Sequence, residues 1–211
     1  MIGGADEAPP LDGPVVVKAP DRQGQKGLTL VEDEAALREA IETARSAARN
    51  GLALVEELVD GPEVTCVGFS VGGVFTPLVV TDRLVADPPA FGVALAHVWP
   101  SEEVSDTSQV SDTVARAVAA LGIENGPSYT QLRIDRDGPK VIEVAARLGG
   151  GHDAELVQMV TGVDLNGLAI DAALGREREG PSGAPRVGGA VTRFLVAPPG
   201  ILQRVEVPPV L

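Results

Sequence analysis

Pro14-Val15-Val16-Val17-Lys18-Ala19-Pro20 runs directly into Asp21-Arg22-Gln23-Gly24-Gln25-Lys26-Gly27. The first half predicts an apolar strand that delivers one lysine. The second half predicts a loop in which glycines let backbone N–H groups approach an anion and two further cations stand close by. A polyphosphate suits that layout. Taken alone, the same residues also describe a solvated lysine at the end of an edge strand. No G-K-[ST] opens a helix here, so the stretch is not a Walker loop.

The pattern extends outward on both sides. Residues 1–13 read as a loose leader. Leu28–Val31 reads as a second strand, so the glycine loop is a hairpin tip. Asp33 to Arg49 reads as a helix with Leu37, Ala40, Ile41, Ala44 and Ala48 on one face, stopped by Asn50-Gly51. Leu52–Glu56 is a strand, and Gly61-Pro62 a break. Glu63–Val71 and Val74–Thr81 form a hairpin about Gly72-Gly73. Residues 82–100 read as a loop followed by a short strand. A helix over Val110–Leu121, strands over Ser128–Ile134 and Lys140–Val144, helices over Ala154–Val160 and Leu165–Leu174, and a strand over Ala190–Val196 follow. Residues 176–189, polar and rich in Gly and Pro, read as a surface loop.

Composition narrows the function classes. At 211 residues with 44% hydrophobic content, the chain can bury one substantial core or two smaller ones. Only 22% of residues are charged and the mean hydropathy is +0.14, which excludes disorder along the whole chain. A net charge of −13 argues against nonspecific nucleic-acid binding, which needs a basic footprint. The single cysteine, Cys66, excludes an internal disulfide and a cysteine-based zinc site. No signal peptide or membrane span is legible, so the expected location is cytoplasmic, with neither membrane nor nucleic acid as a partner.

Two more segments carry chemistry. In Val55-Glu56-Glu57-Leu58-Val59-Asp60-Gly61-Pro62-Glu63 a strand end can offer backbone groups to a purine edge, and a carboxylate seven residues past Glu56 can accept two ribose hydroxyls. The alternative is three ordinary surface acids. In Gln131-Leu132-Arg133-Ile134-Asp135 and Val141-Ile142-Glu143-Val144-Ala145-Ala146-Arg147-Leu148-Gly149-Gly150-Gly151, Gln131 and Glu143 lie on antiparallel strands. Two oxygen donors there suit Mg²⁺, which takes few protein oxygens and completes its shell with phosphates and water. Arg147 and the glycines beyond it suit a transferring phosphoryl group. The alternative is a plain hairpin with a flexible exit.

Together, in this order, the three segments resemble the ATP-grasp superfamily: a lysine strand, a glycine-rich flap, V-E-E-L-x-x-G-x-E, then a hairpin ending E-x-x-x-R-x-G-G. The resemblance runs from about Pro14 to Gly200. It is most similar to carboxylate–amine ligases near the carbamoyl-phosphate synthase large chain and the L-amino acid ligases. Gln131 favours that placement, and Arg193-Phe194-Leu195 with Pro198-Pro199-Gly200 resembles the start of those ligases' C-terminal lobe. The resemblance implies an α+β fold of two subdomains with nucleotide between their sheets: a lid over residues 14–62 and a larger subdomain over 63–211. It implies ATP and Mg²⁺ as cofactors, and small-molecule carboxylate and amine substrates joined through an acyl phosphate. By position it implies that Lys18 holds phosphates under the flap with Gln25 and Lys26. Glu56, Glu57 and Leu58 would read adenine, Glu63 would take the ribose, Gln131 and Glu143 would hold the metal, and Arg147 would steady the acyl phosphate.

Two departures stand out. Ala145 occupies the place, two residues after Glu143, where the family usually has Asn. The family also carries a preceding Rossmann-like domain with another phosphate-binding cation, which residues 1–13 do not supply. The chain is therefore expected to need a missing N-terminal domain or partner chain, and to be inactive alone. A nucleotide-binding module without turnover, and an α+β interaction domain, stay open beside the ligase reading.

Overall fold

The computed structural model describes residues 1–8, 10–86, 92–176, 179–197 and 200–206. Part of the loop expected within residues 82–100, the Pro198-Pro199 pair and Val210-Leu211 lie outside them. Two antiparallel sheets make up the protein, and it is α+β.

The smaller sheet is built from β1 (Val15–Lys18), β2 (Thr29–Val31) and β3 (Leu54–Glu57), in the order β2-β1-β3. Helix α1 (Glu34–Ala47) covers one face of it. Its start is set by Asp33, whose carboxylate accepts the Ala36 N–H at 2.9 Å and satisfies one of the orphan donors of the first turn. Leu37, Ala40, Ile41 and Ala44 recur at helical spacing and bury against Val17, Val31 and Ala53. Because strand side chains alternate, burying Val17 turns Val16 and Lys18 to the opposite face.

The leader is not loose. Ile2 bridges to Ala53 through two backbone hydrogen bonds of 2.8 and 3.0 Å. Ile2, Ala5, Ala8 and Leu11 pack on the α1 core. A three-stranded sheet with a single helix leaves apolar edges, and these side chains cover one.

The larger sheet has the order β8-β7-β4-β5-β6-β9, drawn from β4 (Glu63–Val71), β5 (Val74–Val85), β6 (Ala94–Trp99), β7 (Gly126–Asp135), β8 (Gly138–Ala145) and β9 (Ala190–Arg193). Helix α2 (Ser108–Ala120) closes one face: Val110, Val114 and Val118 meet Val64, Cys66, Val80 and Leu132. Leu121, the last residue of the expected helix, is 61% exposed at the helix exit. Cys66 is fully buried, and burial pushes its thiol up to about 12. The opposite face is apolar only at one end, where Val67, Phe69, Val79 and Tyr129 pack under α3 (Asp153–Thr161) and α4 (Leu165–Ala173). At its other end that face is polar and looks toward the small sheet.

Strand β5 runs to Val85, four residues past the expected end at Thr81. The polar Thr81-Asp82-Arg83 resembles a loop start, yet each side chain finds a partner in the sheet or in the loop after β6. Thr81 and Thr65 share a hydroxyl contact of 2.7 Å, and the Asp82 carboxylate accepts from Ser101 Oγ and from the Glu102 N–H. Arg83 pairs with Glu63. The last strand ends early, at Arg193 rather than Val196.

Candidate functional site

A cleft of about 850 Å³ separates the two sheets. Its upper wall carries Lys18, the loop from Arg22 to Lys26, Glu56 and Glu57; its floor carries Glu63, Arg83, Gln131, Arg133, Glu143 and Arg147. All ten residues singled out in the sequence, Lys18, Gln25, Lys26, Glu56, Glu57, Leu58, Glu63, Gln131, Glu143 and Arg147, line this one space.

The loop over the cleft is anchored at its base. Asp21 accepts the N–H groups of Arg49 and Asn50 at 2.9 and 2.8 Å, and those bonds hold its carboxyl below the usual range. Gly27 closes the loop at φ 74°, where a Cβ would come within 2.8 Å of the Ala47 Cβ, so a glycine is required. Between these anchors Gln25 reaches across the cleft: a Cβ on Gly92 would lie 2.9 Å from its Nε2.

Lys18 stands at the centre. Its ammonium pairs with Glu56 at 2.5 Å and donates to the carbonyl of Ile142 in β8 at 3.3 Å. Gln131 and Glu143 are direct register partners across β7 and β8, so their side chains leave the same face. Gln131 Nε2 donates to the Tyr129 hydroxyl at 3.4 Å, which leaves its oxygen for a cation. One carboxylate beside one amide oxygen fits Mg²⁺. Among the described residues no cluster of three or more His, Cys, Asp or Glu forms a closed cage, so an ion here would draw on phosphate and water for the rest of its shell.

The linker between the sheets is pinned. The Leu58 N–H donates to the Pro14 carbonyl at 3.0 Å. The donor extends the small sheet, so of the Leu58 backbone, expected to read adenine, the carbonyl is the group left for that role, and Val59 is the next residue lining the cleft. Gly61, at φ 122°, lies so close to β7 that a Cβ would sit 2.0 Å from the Ile134 carbonyl oxygen.

Arg83 and Arg133 were missed in the sequence. Arg83 Nη1 bonds Glu63 Oε2, and Arg133 donates to Glu63 Oε1 from Nε and Nη2 at 3.3 and 3.0 Å. Each arginine has a second anchor: Arg83 Nη2 on the Gly92 carbonyl at 2.8 Å, and Arg133 Nη1 on the Val59 carbonyl at 2.9 Å. A signal was present, since Val79, Thr81 and Arg83 keep the period of two that marks a continuing strand face.

Farther along the same face lies a buried polar group. His97 Nδ1 is 4.0 Å from Asp153 Oδ1, and both side chains are buried. Burial pulls the His97 pKa down, Asp153 opposes that and Arg83 adds to it. Burial and Asp153 push the Tyr129 phenol up, against Arg83 and Gln131.

The site is thus a glycine-flapped lysine strand that faces a hairpin with two oxygen donors across the cleft between two sheets. The chain belongs to the ATP-grasp domain family, which it matches over residues 11–155. It is similar to a phosphoribosylamine–glycine ligase from Leifsonia xyli subsp. xyli, 34% identical over 187 residues, covering 82% of this chain and 42% of that protein. It is also similar in structure to an L-amino acid ligase from Bacillus licheniformis, with a TM-score of 0.67 and 30% identity over 80% of this chain and 41% of that one. The biotin carboxylase domain of a Hydrogenobacter thermophilus 2-oxoglutarate carboxylase, solved with MgADP, ADP and bicarbonate, shares the fold at 22% identity and a TM-score of 0.69, over 84% of this chain and 40% of that one. The chain spans about a third to two fifths of the length of the curated relatives it matches. Among the described residues no helix is long and apolar enough to cross a membrane.

Proposed function

We propose that this chain is the ATP-binding part of a Mg²⁺-dependent carboxylate–amine ligase that works through an acyl phosphate in the cytoplasm. One observation carries the reading: Lys18 of the small sheet and the Gln131–Glu143 pair of the large sheet face one cleft, joined by the Lys18–Ile142 hydrogen bond. A cation on one wall and oxygen donors on the other are what a metal-bound triphosphate requires.

Lys18 would meet phosphate oxygens, and the Arg22–Gly27 loop would shut water out above them. Glu56 and the 57–59 backbone would meet adenine, and Glu63 the ribose. Mg²⁺ on Gln131 and Glu143 would neutralise the transferring phosphoryl group. Arg147, which donates to the Leu148 carbonyl through Nη1 at 2.7 Å, keeps other guanidinium hydrogens for an acyl phosphate. Attack by the amine then needs no protein nucleophile, because positioning and charge neutralisation supply the catalysis. The acid and the amine are small molecules, and the phosphate-binding cation opposite Lys18 would come from a preceding domain or partner chain.

Titration calorimetry with ATP, with and without Mg²⁺, tests the reading. Mg²⁺-dependent ATP binding supports it, and the absence of any adenine-nucleotide binding overturns it. Phosphate release with candidate acids and amines, with and without an added preceding domain, tests the ligase step. A binding module without turnover is a second reading, favoured by Ala145, which places no oxygen two residues after Glu143.

A further inference from the structure

The carboxylate of Glu63 is held on both oxygens before any ligand arrives. We propose that Arg83 is a positioning residue that makes this chain select a ribonucleotide over a 2′-deoxyribonucleotide. The inference rests on the adenine-nucleotide reading above.

A ribose hydroxyl is a donor, and an ionised carboxylate with a fixed plane and one open lone pair sets where the hydroxyl it accepts must lie. A glutamate side chain loses rotamer freedom when it is ordered, a cost of roughly 1–2 kcal/mol, equivalent to about tenfold in affinity. Here that ordering is already complete. Arg83 takes one site on Oε2 and Arg133 takes two on Oε1, so the open lone pair lies on Oε2, the oxygen that Arg83 orients. The arginines are themselves fixed, on the carbonyls of Gly92 and Val59. The Arg83 side chain is 10% exposed and that of Glu63 12%, so the grip is shielded from solvent.

Arg83 is poorly placed to act as a phosphate-binding cation. Both of its Nη atoms are committed, and its Nε is buried. Its charge offsets that of Glu63, and its fork sets the orientation of Glu63. Reading Arg83 as a general attractor of anions predicts equal loss for every nucleoside triphosphate. Reading it as a positioning residue predicts a loss confined to the sugar that carries the second hydroxyl.

The experiment is titration of the 211-residue chain with Mg²⁺–ATP and with Mg²⁺–2′-deoxy-ATP, for the wild type, Arg83→Met and Arg83→Lys. Wild type is expected to prefer ATP by about tenfold to a hundredfold, the range of one hydrogen bond to a charged acceptor. Arg83→Met should narrow that preference by about threefold to tenfold, through weaker ATP binding with deoxy-ATP little changed, as the lost rotamer ordering predicts. Arg83→Lys keeps the charge but not the fork, so its preference should fall between the two; it also decides the question if Arg83→Met does not fold. An unchanged ratio in the variants, or equal binding of both nucleotides by the wild type, overturns this inference and leaves nucleotide binding standing. Binding of neither nucleotide by the wild type overturns both.

Discussion

The ammonium of Lys18 donates to the carbonyl of Ile142, 124 residues away in sequence, at 3.3 Å. The bond spans the cleft and ends one residue from Glu143. The cation of one sheet is thereby held beside the strand that carries the acid of the other.

Replacing Lys18 with Met should weaken ATP binding about tenfold to a hundredfold, the loss of one charge-assisted contact. Calorimetry reads this directly. An affinity equal to wild type would remove Lys18 from the phosphate site. The neighbouring Glu56, which pairs with Lys18 at 2.5 Å, should then show its own loss on Glu56→Gln only where Lys18 is present.

Glu143→Ala should abolish the Mg²⁺ dependence of nucleotide binding, because it removes the charged member of the register pair with Gln131. Gln131→Ala should weaken it less, since a neutral amide oxygen attracts a dication less strongly. Ala145→Asn should leave binding intact or tighten it. Equal Mg²⁺ dependence in wild type and Glu143→Ala would rule the pair out as ligands.

Buried His97 gives stability a pH dependence of known sign. Burial lowers its pKa below 6.5, so between that value and the lower folded one the unfolded chain binds more protons. Its contribution is complete above about pH 6.5 and is lost as pH falls through the folded value. His97→Gln should flatten the acid limb of a plot of melting temperature against pH. A slope unchanged below pH 6.5 would show that other groups set it.

Gly61→Ala should cost about 1–3 kcal/mol in urea unfolding, because φ there is 122° and the new Cβ would meet the Ile134 carbonyl. Gly72→Ala is the control. Its φ is 57° but nothing lies within 4 Å of a Cβ, so its cost should be smaller. Equal costs would mean that contact with β7 is not what makes Gly61 necessary.

Much of this site was legible because each part is local. The lysine strand, the glycine tip and the Gln131–Glu143 hairpin are short patterns whose geometry follows from turn chemistry and a period of two. What was hidden is non-local. Arg83 acquires its role only when β4 and β5 pair and bring Glu63 beside it, and its neighbours Thr81 and Asp82 look like loop residues until their cross-strand and loop partners are known. The leader seemed loose because Ile2, Ala5, Ala8 and Leu11 are too sparse to show a period, and only the exposed flank of α1 gives them something to cover. The commitment of the Leu58 N–H to Pro14 was hidden for a similar reason: it depends on sheet register, which residue type does not reveal.

Cys66, sealed between α2 and the large sheet with its thiol raised to about 12, has a practical corollary. In the folded protein it should ignore maleimides and iodoacetamide at neutral pH, where a thiolate is needed for attack. A cysteine introduced at the exposed Gln23 in the Arg22–Gly27 loop would then be the sole site of labelling, with no native thiol to remove first. A fluorophore attached there would test in real time whether the loop changes its surroundings when Mg²⁺–ATP is added.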